Sequence, residues 1–365
     1  MTEPRPPAAA AGSPRADAPR VGVLPSGPLD SISDVAGVRV GHATLAQGDQ
    51  QTGVTVVFPH ARDEFLYKVP AAAAIINGFG KSVGLVQLEE LGVLETPLAL
   101  TNTFSVGTVA QAQIRAAVAR HREIGRAWST LNPLVFECND GYLNDIQAMA
   151  VTDAHYAQAC DAAAREFEQG SVGAGRGMSC FGYKGGIGSA SRIASLADGR
   201  SFTLGALVLA NFGKQATLTI AGQALGHRLA ALANGPDERP AAAEPEKGSI
   251  IMILATDAPL DVRQLRRVAL RSAAGLARTG SVYGHGSGDI ALAFSSAYQV
   301  PHNAIEPMPA VAMLHETHLD PLFSACAEAV EQAIVHAMWR ATPVTGRDGN
   351  HRRAIREAVP DWRNS

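Results

Sequence analysis

Residues 245–257 read Pro245-Glu246-Lys247-Gly248-Ser249-Ile250-Ile251-Met252-Ile253-Leu254-Ala255-Thr256-Asp257. The second half of this run is almost continuously apolar, which is typical of a strand buried on both faces of a sheet. Before it, the polar and proline-rich residues 234–247 contain too few apolar side chains to order themselves strongly. The chain therefore changes character at Gly248-Ser249, from an exposed segment to a buried strand.

A glycine followed by a hydroxyl residue at such a junction is what self-cleavage needs. Glycine reaches backbone conformations that are closed to other residues, so the Ser249 hydroxyl can attack the carbonyl group of Gly248. Hydrolysis of the resulting ester leaves Ser249 as a new N-terminus, whose α-amine can deprotonate its own hydroxyl, as in N-terminal nucleophile enzymes. The same dipeptide also fits an ordinary turn before a strand. Taken alone, the dipeptide leaves both interpretations open.

Composition indicates a compact α/β protein and excludes several classes. The chain has 365 residues, 46% hydrophobic and only 5% aromatic, with 36 glycines and a net charge of -3. No basic field favours binding to nucleic acid or to an anionic membrane. No apolar run approaches the roughly 18–20 residues of a membrane helix.

The cysteines and the N-terminus predict a cytoplasmic protein. Four cysteines are widely spaced and form no CxxC pair, which indicates free thiols in a reducing compartment. Residues 1–20 are rich in proline and alanine and lack the apolar centre of a secretory signal. We therefore expect a disordered tail over 1–20 and a single domain over 21–365.

Alternating apolar patterns predict strands and helices in turn, as expected of one α/β domain. The predicted strands are 52–58, 71–77, 97–101, 133–137, 204–211, 250–257 and 289–295. The predicted helices are 80–91, 108–122, 154–169, 261–279 and 320–342, the last with Asp320 as its N-cap. The glycines of 173–192 match no nucleotide-binding pattern and predict close backbone packing. The charged tail from Arg347 is predicted to be peripheral.

Several polar side chains stand at the predicted ends of strands, where catalytic groups are commonly mounted. HExxH does not occur, so a zinc protease is disfavoured. Each candidate is by itself an ordinary turn or capping residue. Together with Gly248-Ser249 they supply a nucleophile, an orienting hydroxyl, carboxylates and an oxyanion donor. The candidates are Glu137, Tyr142, Asn211, Ser287 and Asp289.

The chain resembles the L-aminopeptidase D-esterase/D-amidase and β-peptidyl aminopeptidase family of self-processing hydrolases. The resemblance spans nearly the whole chain from residue 34 onward. It rests on Asp34-Val35-Ala36-Gly37-Val38-Arg39-Val40-Gly41-His42, Gly78-Phe79-Gly80-Lys81-Ser82, Thr101-Asn102-Thr103, Asp140-Gly141-Tyr142-Leu143-Asn144-Asp145, Lys184-Gly185-Gly186-Ile187-Gly188, Gly248-Ser249, Ala255-Thr256-Asp257-Ala258-Pro259-Leu260, Gly286-Ser287-Gly288-Asp289 and Thr345-Gly346-Arg347-Asp348-Gly349.

This resemblance implies a four-layer α/β/β/α sandwich that cleaves itself after Gly248 into an α chain (1–248) and a β chain (249–365). It implies Ser249 as nucleophile, oriented by Ser287 and Asp289. It also implies Asn211 as the oxyanion amide, Tyr142 beside the active site and Glu137 as the partner of the substrate's ammonium group. The expected substrate is a peptide, amide or ester with a free N-terminal amine. We expect no metal, no organic cofactor and a homo-oligomer of αβ units.

Three alternatives to this function stay open. The first is acyl transfer of the ornithine acetyltransferase kind, although that family normally has a threonine nucleophile and this chain has Ser249. The second is β-peptidyl aminopeptidase specificity; Asp289 stands where that branch has glutamate, which favours the aminopeptidase/amidase branch. The third is a binding protein that keeps the fold and never processes.

Overall fold

The computed structural model describes residues 18–234 and 247–359. The predicted disordered tail over 1–20 lies outside the described residues except for its last three positions. The polar segment 234–247 likewise lies outside them except for its two ends. These two predictions remain predictions.

Strands and helices alternate along the chain. The strands are β1 (Arg39–Gln47), β2 (Gln50–Phe58), β3 (Tyr67–Gly78), β4 (Val93–Leu94), β5 (Leu98–Asn102), β6 (Val135–Cys138), β7 (Ser179–Cys180), β8 (Tyr183–Lys184), β9 (Gly186–Ser195), β10 (Ser201–Asn211), β11 (Lys247–Thr256), β12 (Gly286–Ser295), β13 (Val300–Pro301), β14 (Val344–Thr345) and β15 (His351–Arg352). The helices are α1 (Leu85–Leu91), α2 (Val106–Arg120), α3 (Asp153–Asp161), α4 (Leu225–Asn234), α5 (Val262–Arg278), α6 (Asp320–Trp339) and α7 (Ile355–Ala358).

Two larger sheets form the centre of the molecule. One has the strand order β1-β2-β5-β6, and the other has the order β13-β3-β12-β11-β10-β9, with β4 paired to β3. β11 is therefore an inner strand, parallel to β12 and antiparallel to β10. An inner strand of a covered sheet has both faces buried, which explains the continuous apolar run after Ser249.

Alternation along β11 separates two of the three principal hydrophobic cores. Ile250, Met252 and Leu254 pack in the core that α5 and α6 complete, whereas Ile251 and Ile253 pack between the two sheets. A third core lies between the four-stranded sheet and helices α2 and α3. The layers are helix, sheet, sheet and helix, so the predicted α/β/β/α sandwich is confirmed.

The helices on the second sheet begin where their capping residues predict. At the start of α5, the Asp261 carboxylate accepts a hydrogen bond of 2.7 Å from Gln264 N, in a capping box. α6 differs slightly from the prediction, because Leu319 is the N-cap and Asp320 is the first helical residue. α6 ends at Trp339, three residues earlier than predicted, and Pro343 disfavours helical backbone at the residue before it. None of the helices within 18–234 and 247–359 is long and apolar enough to cross a bilayer.

Two predicted helices are shorter in the structure because their ends take part in other contacts. α3 ends at Asp161 instead of 169, since Ala164 pairs with Val40 of β1 through two backbone hydrogen bonds of 2.9 and 3.0 Å. α1 begins at Leu85 instead of 80, since Val83 pairs with Val135 of β6 through hydrogen bonds of 2.9 and 3.2 Å, and Gly84 adopts φ 97°, outside the helical region. Sequence periodicity does not reveal these long-range contacts.

The glycines of 173–192 are packing residues, as predicted. A Cβ atom on Gly188 of β9 would lie 1.9 Å from the carbonyl oxygen of Ala333 in α6. Such a contact is impossible, so glycine at this position is what allows α6 to lie close against the sheet.

Candidate active site

A cavity of about 810 Å³ opens where strand ends of both sheets meet. Its lining contains five residues singled out from the sequence, contributed by β6, β10, β11 and the turn after β6. These five are Glu137, Tyr142, Asn211, Gly248 and Ser249. Long-range pairing therefore brings together groups that stand far apart in the chain.

Ser249 is held in the cavity wall by both neighbouring strands. It lies opposite Asn211 of β10 and opposite Gly288 of β12. Its hydroxyl oxygen accepts a hydrogen bond of 3.1 Å from Gly288 N, and the residue is 6% exposed. The hydroxyl group is thus fixed in position while it still borders the cavity.

Gly248 is required by the backbone at the junction. Its φ is 144°, and a Cβ atom there would lie 2.2 Å from the carbonyl oxygen of Asn211. Both the conformation and the space exclude other residues. The peptide bond that joins Gly248 to Ser249 therefore directly precedes a positioned hydroxyl group.

The Asn211 side chain is locked by two hydrogen bonds. Its Oδ1 accepts a hydrogen bond of 2.8 Å from Ser179 N, and its Nδ2 donates a hydrogen bond of 2.9 Å to the carbonyl oxygen of Asn139. An amide nitrogen carries two hydrogens, so one N–H remains for the cavity. An amide N–H in a cavity wall is a kind of donor that can stabilise an oxyanion.

Ser287 and Asp289 lie directly behind the cavity and do not line it. The Ser287 hydroxyl donates a hydrogen bond of 2.5 Å to Asp289 Oδ1, and the two residues are 1% and 0% exposed. They flank Gly288 along β12, so alternation directs their side chains to the face opposite the one that Gly288 shares with Ser249. Gly288, which lies between them, donates its N–H to the Ser249 hydroxyl oxygen.

Glu137 places a buried carboxylate at the other side of the cavity. The residue is only 3% exposed. Its Oε1 accepts a hydrogen bond of 2.9 Å from Lys81 N, and its Oε2 accepts a hydrogen bond from the Thr103 hydroxyl. A Cβ atom built on Gly80 would lie 3.6 Å from Glu137 Oε1 and 3.9 Å from Gly288 Cα. The carboxylate is thus close to β12, on one side of Ser249.

The C-terminal segment that the sequence predicted to be peripheral is part of the site, so that prediction is wrong. Arg347 N and Asn350 Nδ2 donate to the carbonyl oxygens of Leu143 and Tyr142, at 2.8 Å each. Arg352 lines the cavity, with its guanidinium carbon 3.6 Å from the centre of the Tyr142 ring. Residues 354 and 355, an alanine and an isoleucine, are fully buried and anchor this segment to the body of the protein.

Two buried ionisable side chains, Lys184 and Asp140, lie close to residues of the site. Lys184 Nζ donates to the carbonyl oxygens of Gly175, Met178 and Gly185 at 2.8–2.9 Å, and burial lowers its pKa well below the ordinary value. Burial likewise raises the pKa of the Asp140 carboxyl to about 7, although Asn144 donates to it at 3.0 Å. Asp140 follows Asn139, whose carbonyl oxygen accepts the hydrogen bond from the Asn211 amide.

We expect Asp140→Asn to change how stability depends on pH. A carboxyl group whose pKa is raised on folding favours the native state below its unfolded value of about 3.9, and that contribution is lost as the pH rises through about 7. Because asparagine does not ionise, the variant should not undergo this loss, which is on the order of a few kcal/mol in the free energy of unfolding. Thermal melting between about pH 4 and pH 8 measures it. The melting temperature of Asp140→Asn relative to that of the wild type should increase as the pH rises. The control Asp161→Asn, at an exposed position, should have the same pH dependence as the wild type. Parallel curves for Asp140→Asn and wild type would contradict the assignment.

A smaller cavity of about 430 Å³ lies between α2, α3 and β2, and the two buried glutamates in its lining are paired with cations. Glu64 pairs with Arg120 at 3.3 Å, and Glu95 pairs with Lys68 at 2.9 Å. Burial raises the pKa of the Cys160 thiol to about 11, so it is protonated at neutral pH. Within 18–234 and 247–359 no group of three or more His, Cys, Asp or Glu side chains is arranged to hold a metal ion. The larger cavity is therefore the candidate active site.

Three residues that support this site received no role from the sequence. Thr103 holds Glu137, Ser179 holds Asn211, and Arg352 stacks on Tyr142. Thr103 lies in a polar cluster after a predicted strand, which is the only local signal among the three. Ser179 and Arg352 become visible only when distant loops are brought together.

The sandwich, with a strand-end hydroxyl beside an amide and a buried carboxylate, is the architecture of an N-terminal nucleophile-fold hydrolase of the aminopeptidase class. A model of Peptidase family S58 matches residues 30–352, and the chain belongs to that family.

Relatives and solved structures agree with this assignment. Over 340 residues, 88% of this chain and 84% of the relative, the sequence is 39% identical to beta-peptidyl aminopeptidase BapA of Sphingosinicella microcystinivorans. The PH0078 protein of Pyrococcus horikoshii OT3 superposes with a TM-score of 0.87 and 45% identity, covering 94% of this chain and 97% of that one. The L-aminopeptidase D-Ala-esterase/amidase of Ochrobactrum anthropi gives a TM-score of 0.82 and 35% identity over the same shares, and is described as a serine aminopeptidase with a variant of the Ntn hydrolase fold.

Proposed function

We propose that the protein is a self-processing N-terminal serine aminopeptidase, amidase and esterase that releases small N-terminal residues through an acyl-enzyme. Cleavage after Gly248 divides it into an α chain (1–248) and a β chain (249–365) within one hydrolase domain. The observation that carries the proposal is a positioned Ser249 hydroxyl, directly after a glycine that no other residue can replace, in the wall of the larger cavity.

Processing in this proposal is an intramolecular acyl shift followed by hydrolysis. Ser249 Oγ attacks the Gly248 carbonyl carbon and forms an ester, while the C–N bond breaks and the nitrogen takes the hydroxyl proton. Water then cleaves the ester, which leaves a carboxylate on Gly248 and both a free α-amine and a hydroxyl group on Ser249. In this proposal Asn211, which lies opposite Ser249 in the sheet, stabilises the oxyanion of each step.

Turnover uses the same two groups of Ser249. The α-amine takes the Oγ proton as Oγ attacks the substrate's first carbonyl carbon, and the leaving amine departs with that proton. Water then cleaves the acyl-enzyme. Ser287 and Asp289 position the strand that binds Oγ, and Tyr142 borders the cavity beside the reacting groups.

The test of this proposal is the intact mass of the purified protein under denaturing conditions. We expect two fragments, of which the C-terminal one begins at Ser249, together with hydrolysis of free-amine substrates. An active chain of full length would exclude the Ser249 α-amine as the base.

Asn211→Asp should lower kcat by about 10²–10³-fold, the usual effect of removing one oxyanion donor. Aspartate keeps the acceptor for Ser179 N but loses the N–H that faces the cavity. Because Asn211 also assists processing in this proposal, intact mass first gives the processed fraction of the variant. Steady-state kinetics with a fixed ester substrate, scaled to that fraction, then measures kcat, and KM should change little. Asn132→Asp, whose side chain is hydrogen-bonded outside this cavity, is the matched control. An Asn211→Asp variant with normal kcat would remove Asn211 from this role.

Beta-peptidyl specificity is the second candidate, because the relative with 39% identity is a beta-peptidyl aminopeptidase. Parallel assays with amides of α-alanine and β-alanine separate it from an α-amino preference. A cytoplasmic location and a homo-oligomer of αβ units also remain proposals. Free thiols at all four cysteines support the first, and the second follows only from the family resemblance.

A further inference from the structure

The active-site cavity is cationic although the chain as a whole is acidic. Lys81, Lys214 and Arg352 line it, with Glu137 as the one carboxylate in the lining, whereas the net charge of the whole chain is -3. Within 18–234 and 247–359, neither Lys214 nor Arg352 forms an ion pair with a carboxylate. The ammonium group of Lys81 lies over the Phe79 ring, 4.5 Å from its centre. The cavity thus holds positive charge that the protein itself does not neutralise.

Arg352 is held in a fixed orientation. Its guanidinium group stacks on the Tyr142 ring, with the guanidinium carbon 3.6 Å from the ring centre. Its Nε donates a hydrogen bond of 3.2 Å to the Ser179 hydroxyl. A further, long hydrogen bond of 3.4 Å joins its Nη1 to the carbonyl oxygen of His351. Burial lowers the pKa of Arg352 from its ordinary value, although a guanidinium group stays charged at neutral pH. A restrained guanidinium with open N–H edges is suited to a carboxylate ligand.

The two kinds of charge flank Ser249 from opposite sides. β11 lies between β12 and β10 in the sheet. The Glu137 carboxylate lies near Gly288 of β12, whereas Arg352 is joined through Ser179 to Asn211 of β10. Lys214 follows β10 by three residues. Lys81 lies on the Glu137 side, since its backbone N–H donates to that carboxylate. A substrate that spans Ser249 therefore meets the Glu137 carboxylate at one end, and Arg352 and Lys214 at the other.

The separation matches a short peptide. Adjacent strands are about 4.8 Å apart, so β12 and β10 are separated by about 10 Å. An extended peptide rises about 3.3–3.6 Å per residue, so this distance corresponds to roughly two or three residues. Longer peptides would carry their terminal carboxylate beyond Arg352.

We propose that Arg352, assisted by Lys214, binds the terminal carboxylate of the leaving group, and that the preferred substrates are zwitterionic peptides of two or three residues. This inference rests on the aminopeptidase function proposed above. It assigns Arg352 to substrate selection, whereas bond cleavage remains with Ser249 and Asn211.

The experiment compares alanyl-alanine with its C-terminal amide, which differs only in the charge at the leaving end. In the wild type we expect kcat/KM to be about 10–100-fold higher for the acid, mainly through KM, as for hydrogen bonds to a charged group. R352Q should bring this ratio close to one, R352K should restore part of it, and K214Q should lower it by a smaller factor. The preference should disappear for peptides of about five residues, which exceed the span set by the strands.

The matched control is R62Q, because Arg62 also stacks on a tyrosine ring, that of Tyr67, but does not line the cavity. R62Q should keep the wild-type ratio. Equal rates for acid and amide in the wild type would overturn this inference and leave the aminopeptidase proposal standing. Equal losses for both substrates in R352Q would show that Arg352 acts through Tyr142 or Ser179 instead, and would also overturn it. No hydrolysis of any free-amine peptide, amide or ester would contradict the proposed function itself.

Discussion

Ser249→Ala is expected to abolish chain cleavage and turnover together, because one hydroxyl group serves both reactions. Without it the Gly248 carbonyl has no neighbouring nucleophile, and the substrate has none either. Loss of the nucleophile of a serine hydrolase lowers kcat by about 10⁴–10⁶-fold, so residual activity should be close to background. Intact mass under denaturing conditions should show one full-length chain, where the wild type shows two fragments.

The controls for this variant distinguish the loss of the nucleophile from misfolding of the protein. Ser201→Ala removes a hydroxyl from an exposed position at the opposite end of β10 and should process and turn over normally. The far-UV circular dichroism of Ser249→Ala should match that of the wild type, since a side chain 6% exposed loses only its hydroxyl group. Fragments that still begin at residue 249 in the alanine variant would show that another group, or a contaminating protease, performs the cleavage.

Glu137→Gln should spare chain cleavage and weaken the hydrolysis of substrates with a free amine. The carboxylate is buried, and the two groups that donate to it, Lys81 N and the Thr103 hydroxyl, are neutral. A substrate ammonium group would therefore give this carboxylate the positively charged partner that the protein does not provide. Removing one partner of such a buried pair costs about 2–5 kcal/mol, which corresponds to a fall of at least about 30-fold in kcat/KM.

The comparison that isolates this role uses one substrate with a free N-terminus and the same substrate acetylated. The wild type should strongly prefer the free amine, and Glu137→Gln should narrow the difference. Glu95→Gln is the matched control, because Glu95 is also a buried carboxylate, paired with Lys68 outside this cavity. An unchanged preference in Glu137→Gln would assign ammonium recognition to another group.

The elements that the sequence predicts best are those defined by local patterns. The buried strand after Ser249 and the helix that begins behind Asp261 have the predicted position and kind. α3 differs from the prediction at its C-terminal end, because the pairing of Ala164 with Val40 competes with helical periodicity. The sequence pattern assigns Arg352 to a peripheral tail, because nothing in its own neighbourhood indicates that Tyr142 lies beneath it.

In the candidate site too, some features are predicted from local sequence and others are seen only in the folded chain. Gly248-Ser249 is apparent in the sequence, because a glycine before a hydroxyl residue at the start of a buried strand is a local feature. Apolar alternation is sufficient to predict an α/β domain, whereas the sandwich fold is implied only by the resemblance of the short motifs to a known family. The folded chain is needed to show that Ser287 and Asp289 are buried next to each other, while Glu137 and Arg352 line the same cavity as Ser249. These relations depend on strand order, on the face to which each side chain points and on burial, which arise when distant segments pair and which no local pattern specifies.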